Sequence, residues 1–215
     1  MESQSFKNRV ADVASQQSLM YKSIFVDYEY LLCSETFKRQ DYYIISAKPD
    51  NYKHLIGVHS YMSANNFYNK CISGQLTDSD FDFCVVGRSE KSIQGSVRRK
   101  IKSLPYLMSI FDHKIYVQED YIKNNIRCSF AASDCNITIG FSGGEKSRPN
   151  TLLYGNILDR NTFGVVDLVM RRKSGDSLFS EIVIGNTDLI SKYKNKIEHV
   201  VSSELISDAS QLICV

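Results

Sequence analysis

The sequence predicts an α+β fold in which N-terminal helices pack on a small antiparallel β-sheet, with additional helices at both ends of the chain. Through much of the first hundred residues, apolar side chains recur every three, four or seven positions, the spacing of helices with one buried stripe. Short β-rich runs bounded by Gly, Asn, Asp or Pro follow, and helical spacing then returns. Because the helices precede the strands rather than alternate with them, the pattern indicates the α+β class and not a βαβ repeat.

The first elements are predicted from apolar spacing and capping residues. A helix is predicted from Phe6 to Leu32, with a break near residues 16–18 left open. Tyr42 to Ile45 is predicted as a strand that ends in a turn at residues 48–51. Ser63 to Ser73 is predicted as a helix with a serine N-cap.

The later elements begin with an amphipathic helix, predicted from Ser89 to Ser103 and ended by Pro105, whose solvent face is basic. Antiparallel strands are predicted at six runs: Lys114 to Val117, Arg127 to Phe130, Asn136 to Phe141, Thr151 to Leu153, Val165 to Met170 and Phe179 to Ile184. The glycine-rich stretch 139–145 is predicted as a hairpin turn, because it has no phosphate-loop pattern. The tail from Asp188 to Ser207 is predicted to be helical, and its apolar stripe packs either on the body of the protein or on a second copy.

Composition excludes several classes of protein. The chain has 215 residues, of which 43% are hydrophobic and 23% charged, so wholesale disorder and a coiled-coil rod are excluded. Its net charge of +2 means that a polyanion site requires a local concentration of basic groups. No apolar run approaches the roughly 20 residues of a membrane helix, and residues 1–9 lack a signal sequence. We therefore expect a cytoplasmic protein without a membrane partner, whose six cysteines are reduced and, without a C-x-x-C pair, bind no metal.

Two histidines offer acid–base chemistry. His54 and His59 lie five residues apart, next to Lys53, in a segment predicted to be a loop between a strand and a helix. An imidazole titrates near neutrality and can act as a general base or acid without a metal. The alternative is that one ring packs against the strand and the other is solvated.

Other polar groups interrupt the predicted sheet. Arg127 either clamps a phosphate or forms a surface ion pair. Asn150 and Thr151 either hydrogen-bond a substrate or cap a turn, and Arg171 belongs to a run that is typical of a hairpin tip. Zinc-peptidase, serine-hydrolase and zinc-deaminase motifs are absent from the sequence. The remaining set of basic helix, histidine pair and isolated arginines is the inventory that RNA cleavage requires.

Several blocks of sequence together carry a family resemblance. They are HLIGVH (54–59), FYNKCISGQLTDSDFDF (67–83), KIKSLPYLMSIF (100–111), IRCSFAASDCNITIGF (126–141), RPNTLLYGNILD (148–159) and LFSEIVIGN (178–186). In this order and spacing they resemble the fourth group of phage-associated barnase/EndoU/colicin/RelE-like nucleases, from about Tyr42 to Asn186. The resemblance divides the chain into an N-terminal helical arm (1–39), a nuclease domain (40–187) and a C-terminal helical tail (188–215).

The resemblance implies a metal-independent, cofactor-free endoribonuclease of toxin or phage-conflict type. Its expected reaction is attack of a ribose 2′-hydroxyl on the adjacent phosphate, which gives a 2′,3′-cyclic phosphate. It implies His54 as general base or acid, Arg127 as the phosphate clamp and Thr151 as a hydroxyl donor to the phosphate. Residues expected to contact RNA are Lys53, His59, Lys91, Arg98, Arg99, Asn150 and Arg171.

The partner is then expected to be RNA, such as tRNA or another structured RNA. Tyr52, Tyr61 and Tyr154 either stack on its bases or belong to the core. An antitoxin or inhibitor protein and a homodimer formed through the terminal helices are further expectations. The alternative function is a catalytically inactive RNA- or protein-binding module of the same fold, for which the basic face at residues 98–102 would matter more than His54.

Overall fold

A computed structural model describes residues 5–123, 126–144 and 146–211 of the chain. Within these residues it contains six α-helices and nine β-strands, which confirms the mixed α+β class. The helices are α1 (Phe6–Tyr21), α2 (Asn51–Ile56), α3 (Ala64–Ile72), α4 (Glu90–Met108), α5 (Thr187–Ile197) and α6 (Ser203–Gln211). The strands are β1 (Tyr28–Cys33), β2 (Tyr43–Ser46), β3 (Tyr116–Lys123), β4 (Ile126–Ser133), β5 (Ile137–Ser142), β6 (Lys146–Tyr154), β7 (Gly164–Val165), β8 (Leu168–Lys173) and β9 (Glu181–Ile184).

The sheet is larger than predicted and is not wholly antiparallel. In the described residues its strands form one sheet in the order β7-β3-β4-β5-β6-β2-β1-β8-β9. The β2–β6 pair is parallel and joins strands that are a hundred residues apart in sequence. Local spacing does not reveal such a long-range pairing, which is why the sequence predicted hairpins alone.

The N-terminal segment ends differently from its prediction. Helix α1 stops at Tyr21, a π-helical turn follows, and the predicted helical residues from Tyr28 onward form β1 in the interior of the sheet. Strand β1 is buried on both faces, since Leu32 contributes to one apolar core and Leu31 to another. A strand buried on both faces reads as a continuous apolar run, which has no period of two to distinguish it from a helix.

The predicted serine cap at Ser63 is confirmed, and Ser89 caps α4 in the same way. Ser63 Oγ accepts from the Asn66 amide, and Ser89 Oγ accepts from the Ser92 amide. Helix α4 nevertheless continues past Pro105 to Met108.

The two faces of the sheet carry different layers. Residues from α1 to α4 share the main core with one face, whereas α5 and α6 pack on the other face beside β1 and β8. Ile190, Tyr193 and Ile197 are buried there, so the apolar stripe of the tail packs within the chain. Elements from both ends of the sequence therefore cover the same sheet.

Among the described residues, no helix combines the length and apolar character needed to cross a membrane. Free thiols are present at Cys33, Cys71, Cys84, Cys128 and Cys135. Cys214 lies outside the described residues.

A candidate catalytic cleft between helix α2 and strand β6

The cleft forms where β6 loses its parallel partner. Strand β2 pairs with β6 only at Ile44↔Lys146 and Ile45↔Ser147. Beyond Ser46 the chain leaves the sheet and turns into α2, while β6 continues as an extended strand. Helix α2 packs against this part of β6. The resulting open cleft of about 250 Å³ is lined by Asn51, His54, Ser142, Arg148, Pro149 and Asn150.

Helix α2 presents His54 on its solvent side. The other face of the helix buries Tyr52, Leu55 and Ile56, whereas His54 is exposed. The Asn51 side chain accepts a hydrogen bond of 2.8 Å from the Lys48 amide and so fixes the turn before the helix. The sequence predicted a loop here, and that prediction is wrong. A helix of six residues is too short to show its period in the sequence.

Lys100 of α4 holds the end of α2. Its ammonium Nζ donates to the carbonyl oxygen of His54 at 2.7 Å. The helix stops at Gly57, whose φ of +79° favours glycine. A Cβ atom at Gly57 would lie 2.8 Å from Lys100 Cδ, so the glycine also provides the space that the lysine occupies. Burial lowers the pKa of Lys100 to about 8, and the charge of Arg88 adds to the effect.

A β-bulge forms the other wall of the cleft. Phe141 is opposite Pro149 and Gly140 is opposite Thr151, so Asn150 is the extra residue on β6. Asn150 Nδ2 donates to Ser142 Oγ at 3.1 Å. Ser142 Oγ in turn donates to the Arg127 carbonyl oxygen at 3.2 Å. These bonds fix the bulge against β5 and β4.

The three residues predicted to be catalytic have different positions relative to the cleft. His54 lines it. Arg127 is exposed on β4 and adjoins the wall through its carbonyl group. Thr151 follows Asn150 but is only 4% exposed, which leaves its hydroxyl little access to a substrate in this conformation. Gly140 makes room for Thr151, since a Cβ there would lie 2.9 Å from Thr151 Cγ2.

Among the predicted RNA contacts, Asn150 lines the cleft and several others have partners elsewhere. Lys53 Nζ donates to the carbonyl oxygens of Ser60 and Met62, at 3.1 and 3.0 Å. His59 is paired with an aspartate in a separate depression. Arg171 forms an ion pair with Glu181 and lies over the ring of Tyr28.

The basic face of α4 is partly engaged within the protein. Arg98 lies over the Phe6 ring, 4.9 Å from its centroid, and Lys102 lies over the Tyr154 ring at 4.5 Å. Lys100 donates its hydrogen bond to the His54 carbonyl of α2, as described above. Lys91 and Arg99 are exposed on the helix surface.

Arg148 is a lining residue that was not predicted from the sequence. It lies two positions before Asn150, opposite Ser142, and its side chain is exposed. The alternation of a strand could have found it, because residues two apart share a face of the sheet. Ser142 and Asn51 carried no comparable signal, since they reach the cleft only through the tertiary fold.

The arrangement can bind and protonate a phosphate ester. Arg148 offers a planar fork of donors that matches phosphate oxygens, and Asn150 offers an amide. His54 offers an imidazole able to take up or release a proton. In the part of the chain that the structure describes, no three His, Cys, Asp or Glu side chains are grouped as metal ligands.

An imidazole and a guanidinium that line one open cleft are side chains with which an acid–base enzyme can act on a phosphodiester. The chain belongs to the family described as phage-Barnase-EndoU-ColicinE5/D-RelE like nuclease4, whose model matches residues 16–202. The predicted family is thereby confirmed, and a nucleic acid is the expected substrate. No curated protein and no solved structure matches the chain.

Proposed function

We propose that the protein is a metal-independent endoribonuclease of toxin or phage-conflict type whose active site is the cleft between α2 and β6. The observation that carries the proposal is that His54, Arg148 and Asn150 line one cleft, although Arg148 is almost a hundred residues from His54 in sequence. Membership in a nuclease family supports the same assignment.

The proposed reaction is an internal transesterification. The ribose 2′-oxygen attacks the adjacent phosphorus, a new P–O2′ bond forms, and the P–O5′ bond breaks. The 2′-hydroxyl loses its proton to a base, and the departing 5′-oxygen receives one from an acid, so the products are a 2′,3′-cyclic phosphate and a 5′-hydroxyl. His54 is assigned to one of these two proton transfers because its ring is exposed at the cleft.

The other groups are assigned to the phosphate. Charge builds up on the non-bridging oxygens as the fifth bond to phosphorus forms, and fixed donors lower the energy of that state. Arg148 and Asn150 are the donors proposed to meet those oxygens. Arg127, which lies on β4, is proposed to bind a neighbouring phosphate of the RNA. Thr151 is proposed to act only if the bulge opens enough to expose its hydroxyl.

The substrate is proposed to be a structured RNA such as a tRNA, cut in a loop where the bases are unpaired. DNA lacks the 2′-hydroxyl that this reaction consumes. The toxin hypothesis also predicts an inhibitor protein. A homodimer formed through the terminal helices remains a further prediction.

The experiment is incubation of the purified protein with total tRNA and rRNA in excess EDTA, followed by end-group analysis of the fragments. We expect discrete fragments with 2′,3′-cyclic phosphate ends from the wild type and none from His54→Ala. His113→Ala is the matched control, because His113 is also exposed but follows α4. Cutting that persists in His54→Ala would overturn the assignment of His54. RNA that is bound but left intact by the wild type would favour the inactive binding module.

A further inference from the structure

A second depression follows α2 in sequence and lies where residues 59–61 meet the turn at residues 84–88. It measures about 640 Å³, and we call it the His59 pocket; its lining includes His59, Tyr61, Cys84, Val85, Val86 and Arg88. Three of these side chains are unusually exposed for apolar residues. Tyr61 is 93% exposed, Val86 fully so, and Val85 40%.

The His59 ring is held rigidly at this pocket. Its Nδ1 lies 3.0 Å from Asp82 Oδ1, and the same oxygen accepts from the Cys84 amide at 2.8 Å. Main-chain hydrogen bonds in both directions join His59 to Asp82 as well. Because an ionised carboxylate only accepts, Nδ1 carries the proton and Nε2 is left to bond to a ligand.

An aromatic surface and an apolar turn flank that ring. Tyr61 meets His59 edge to face, with ring centroids 5.2 Å apart. The turn is closed by a hydrogen bond from the Arg88 amide to the Val85 carbonyl, and Gly87 has a φ of +78°. This fixed turn projects Val86 outward. Burial in the core does not account for either the Tyr61 ring or the Val86 side chain.

The His59 pocket lies close to the catalytic cleft. Arg88 lines the pocket and lies close enough to Lys100 for its charge to help lower the pKa of that lysine. Lys100 donates to the carbonyl of His54, whose side chain lines the cleft. His59 follows His54 by five positions, so their Cα atoms are at most about 18 Å apart. The pocket is therefore close enough to the cleft for one RNA strand to reach both.

We propose that the His59 pocket binds an unpaired nucleobase of the RNA, on one side of the nucleotide that is cut. The base would stack on the Tyr61 ring and contact Val86, and Arg88 would meet its phosphate. Base–aromatic stacking next to a cationic track is the arrangement by which proteins bind single-stranded nucleic acids. His59 Nε2 would add a hydrogen bond to the base edge. This inference rests on the proposed RNA substrate and adds the element that selects where the RNA is cut.

The pocket carries charges of both signs, so the exposed ring of Tyr61 rather than net charge selects a nucleobase as its occupant. Arg88 supplies the positive charge of this lining. Glu90 also lines the pocket, but its Oε1 accepts from Gln94 Nε2 at 3.0 Å within α4. This hydrogen bond orients the Glu90 carboxylate along α4 but leaves its negative charge in place.

The test measures binding separately from cutting. All proteins in this test carry His54→Ala, so that they bind RNA without cutting it. Fluorescence anisotropy then compares the affinities of this parent and of its Tyr61→Phe and Tyr61→Ala variants for a short fluorescein-labelled single-stranded RNA. We expect Tyr61→Ala to weaken binding about fivefold or more and Tyr61→Phe to change it little, since phenylalanine keeps the stacking surface. Tyr106→Ala, which removes a partly exposed ring elsewhere on the surface, is the control and should bind as well as its parent.

An abasic scan identifies the base. The same RNA is made with each nucleotide in turn replaced by an abasic one. An abasic substitution at one position should lower the affinity of the parent protein, which retains Tyr61. The same substitution should not lower the affinity of Tyr61→Ala any further. Equal affinities for all Tyr61 variants, or a flat scan, would overturn the proposal and leave the surface to a protein partner.

The outcomes also separate this inference from the proposed function. Wild-type protein that cuts RNA with a site preference unchanged by Tyr61→Ala would refute the pocket but keep the nuclease. Wild-type protein that never cuts, yet binds RNA with the expected Tyr61 dependence, would refute the nuclease but keep the pocket. Absence of any RNA binding would refute both.

Discussion

The ammonium of Lys100 lies 2.7 Å from the carbonyl oxygen of His54, at the last turn of α2. This bond ties the helix that carries the proposed catalytic histidine to α4, the longest helix of the described chain. Helix α2 has only six residues and little stability of its own, so its position depends on such tertiary contacts. Lys100 is therefore interpreted as a positioning residue for His54.

Gly57→Ala should disturb this contact. The new Cβ would lie 2.8 Å from Lys100 Cδ, and alanine would be strained at a φ of +79°. The strain alone should lower the free energy of unfolding by about 1 to 2 kcal/mol. We also expect a loss of RNA cleavage, because the displaced lysine releases the end of α2.

Gly74→Ala separates the two effects. Gly74 has a φ of +68° and open space around its Cα, so only the backbone strain is expected there. Urea unfolding and cleavage assays of both variants are the measurements. If Gly74→Ala lost as much cleavage as Gly57→Ala, the positioning role of Lys100 would be wrong.

Lys100 should also make stability depend on pH. Its pKa is lowered to about 8 by burial and by Arg88, whereas an unfolded lysine titrates near 10.4. The unfolded state thus binds more protons between these values, and stability rises with pH through that window. The contribution of Lys100 is complete above the unfolded pKa and is lost as the pH falls through about 8.

The measurement is the free energy of unfolding of wild type and Lys100→Met from pH 7 to 9.5. As the pH rises, the free energy of unfolding of the wild type should increase relative to that of Lys100→Met. A constant difference across this range would show that the lysine is solvated in the folded protein.

Arg148 should be essential for cleavage. Removing one preformed donor to a developing oxyanion typically costs about 100- to 1,000-fold in kcat, and we expect a loss of that size for Arg148→Ala. Arg148→Lys should recover only part of it, because an ammonium keeps the charge but lacks the planar fork.

Single-turnover cleavage rates test this expectation. Arg160→Ala is the control, since Arg160 is an exposed arginine in the loop after β6. Near-normal rates for Arg148→Ala would move the phosphate site to Arg127.

Local elements of this fold were predictable, and long-range ones were not. Ser63 and Ser89 are sequence-local caps, so the starts of α3 and α4 were found within a residue. Strand β1 was read as helix because it is buried on both faces. His54 was selected from the histidine pair and then from the family resemblance, but Arg148, which lines the same cleft, was not. Their proximity depends on the parallel β2–β6 pairing, which brings together segments that no local pattern connects.

The buried carboxylate of Glu29 should contribute to the stability of the centre of the sheet through its ion pairs. It is 4% exposed and accepts from Arg172, which is 6% exposed, and from Lys146. Burial pushes the pKa of Glu29 upward, but hydrogen bonds from Lys146, Ser46 and Arg172 outweigh it, so the pKa lies below its ordinary value. Glu29→Gln would leave the Arg172 charge buried without its partner, which typically costs about 3 to 5 kcal/mol.

The pH dependence gives the same pair a second signature. Because the folded pKa of Glu29 is lowered, its contribution to stability is present above the unfolded value of about 4.3 and is lost as the pH falls through the folded pKa.

Glu181→Gln is the control: that carboxylate is 45% exposed in its pair with Arg171, and such pairs contribute about 0 to 1 kcal/mol. Urea unfolding at pH 7 should therefore separate the two variants by at least about 2 kcal/mol. As the pH is lowered below 4, the gap between wild type and Glu29→Gln should narrow. If both variants unfolded like the wild type at pH 7, the buried ion pair would contribute nothing, and β1 would be held by its pairing with β2 and β8 and by its apolar contacts.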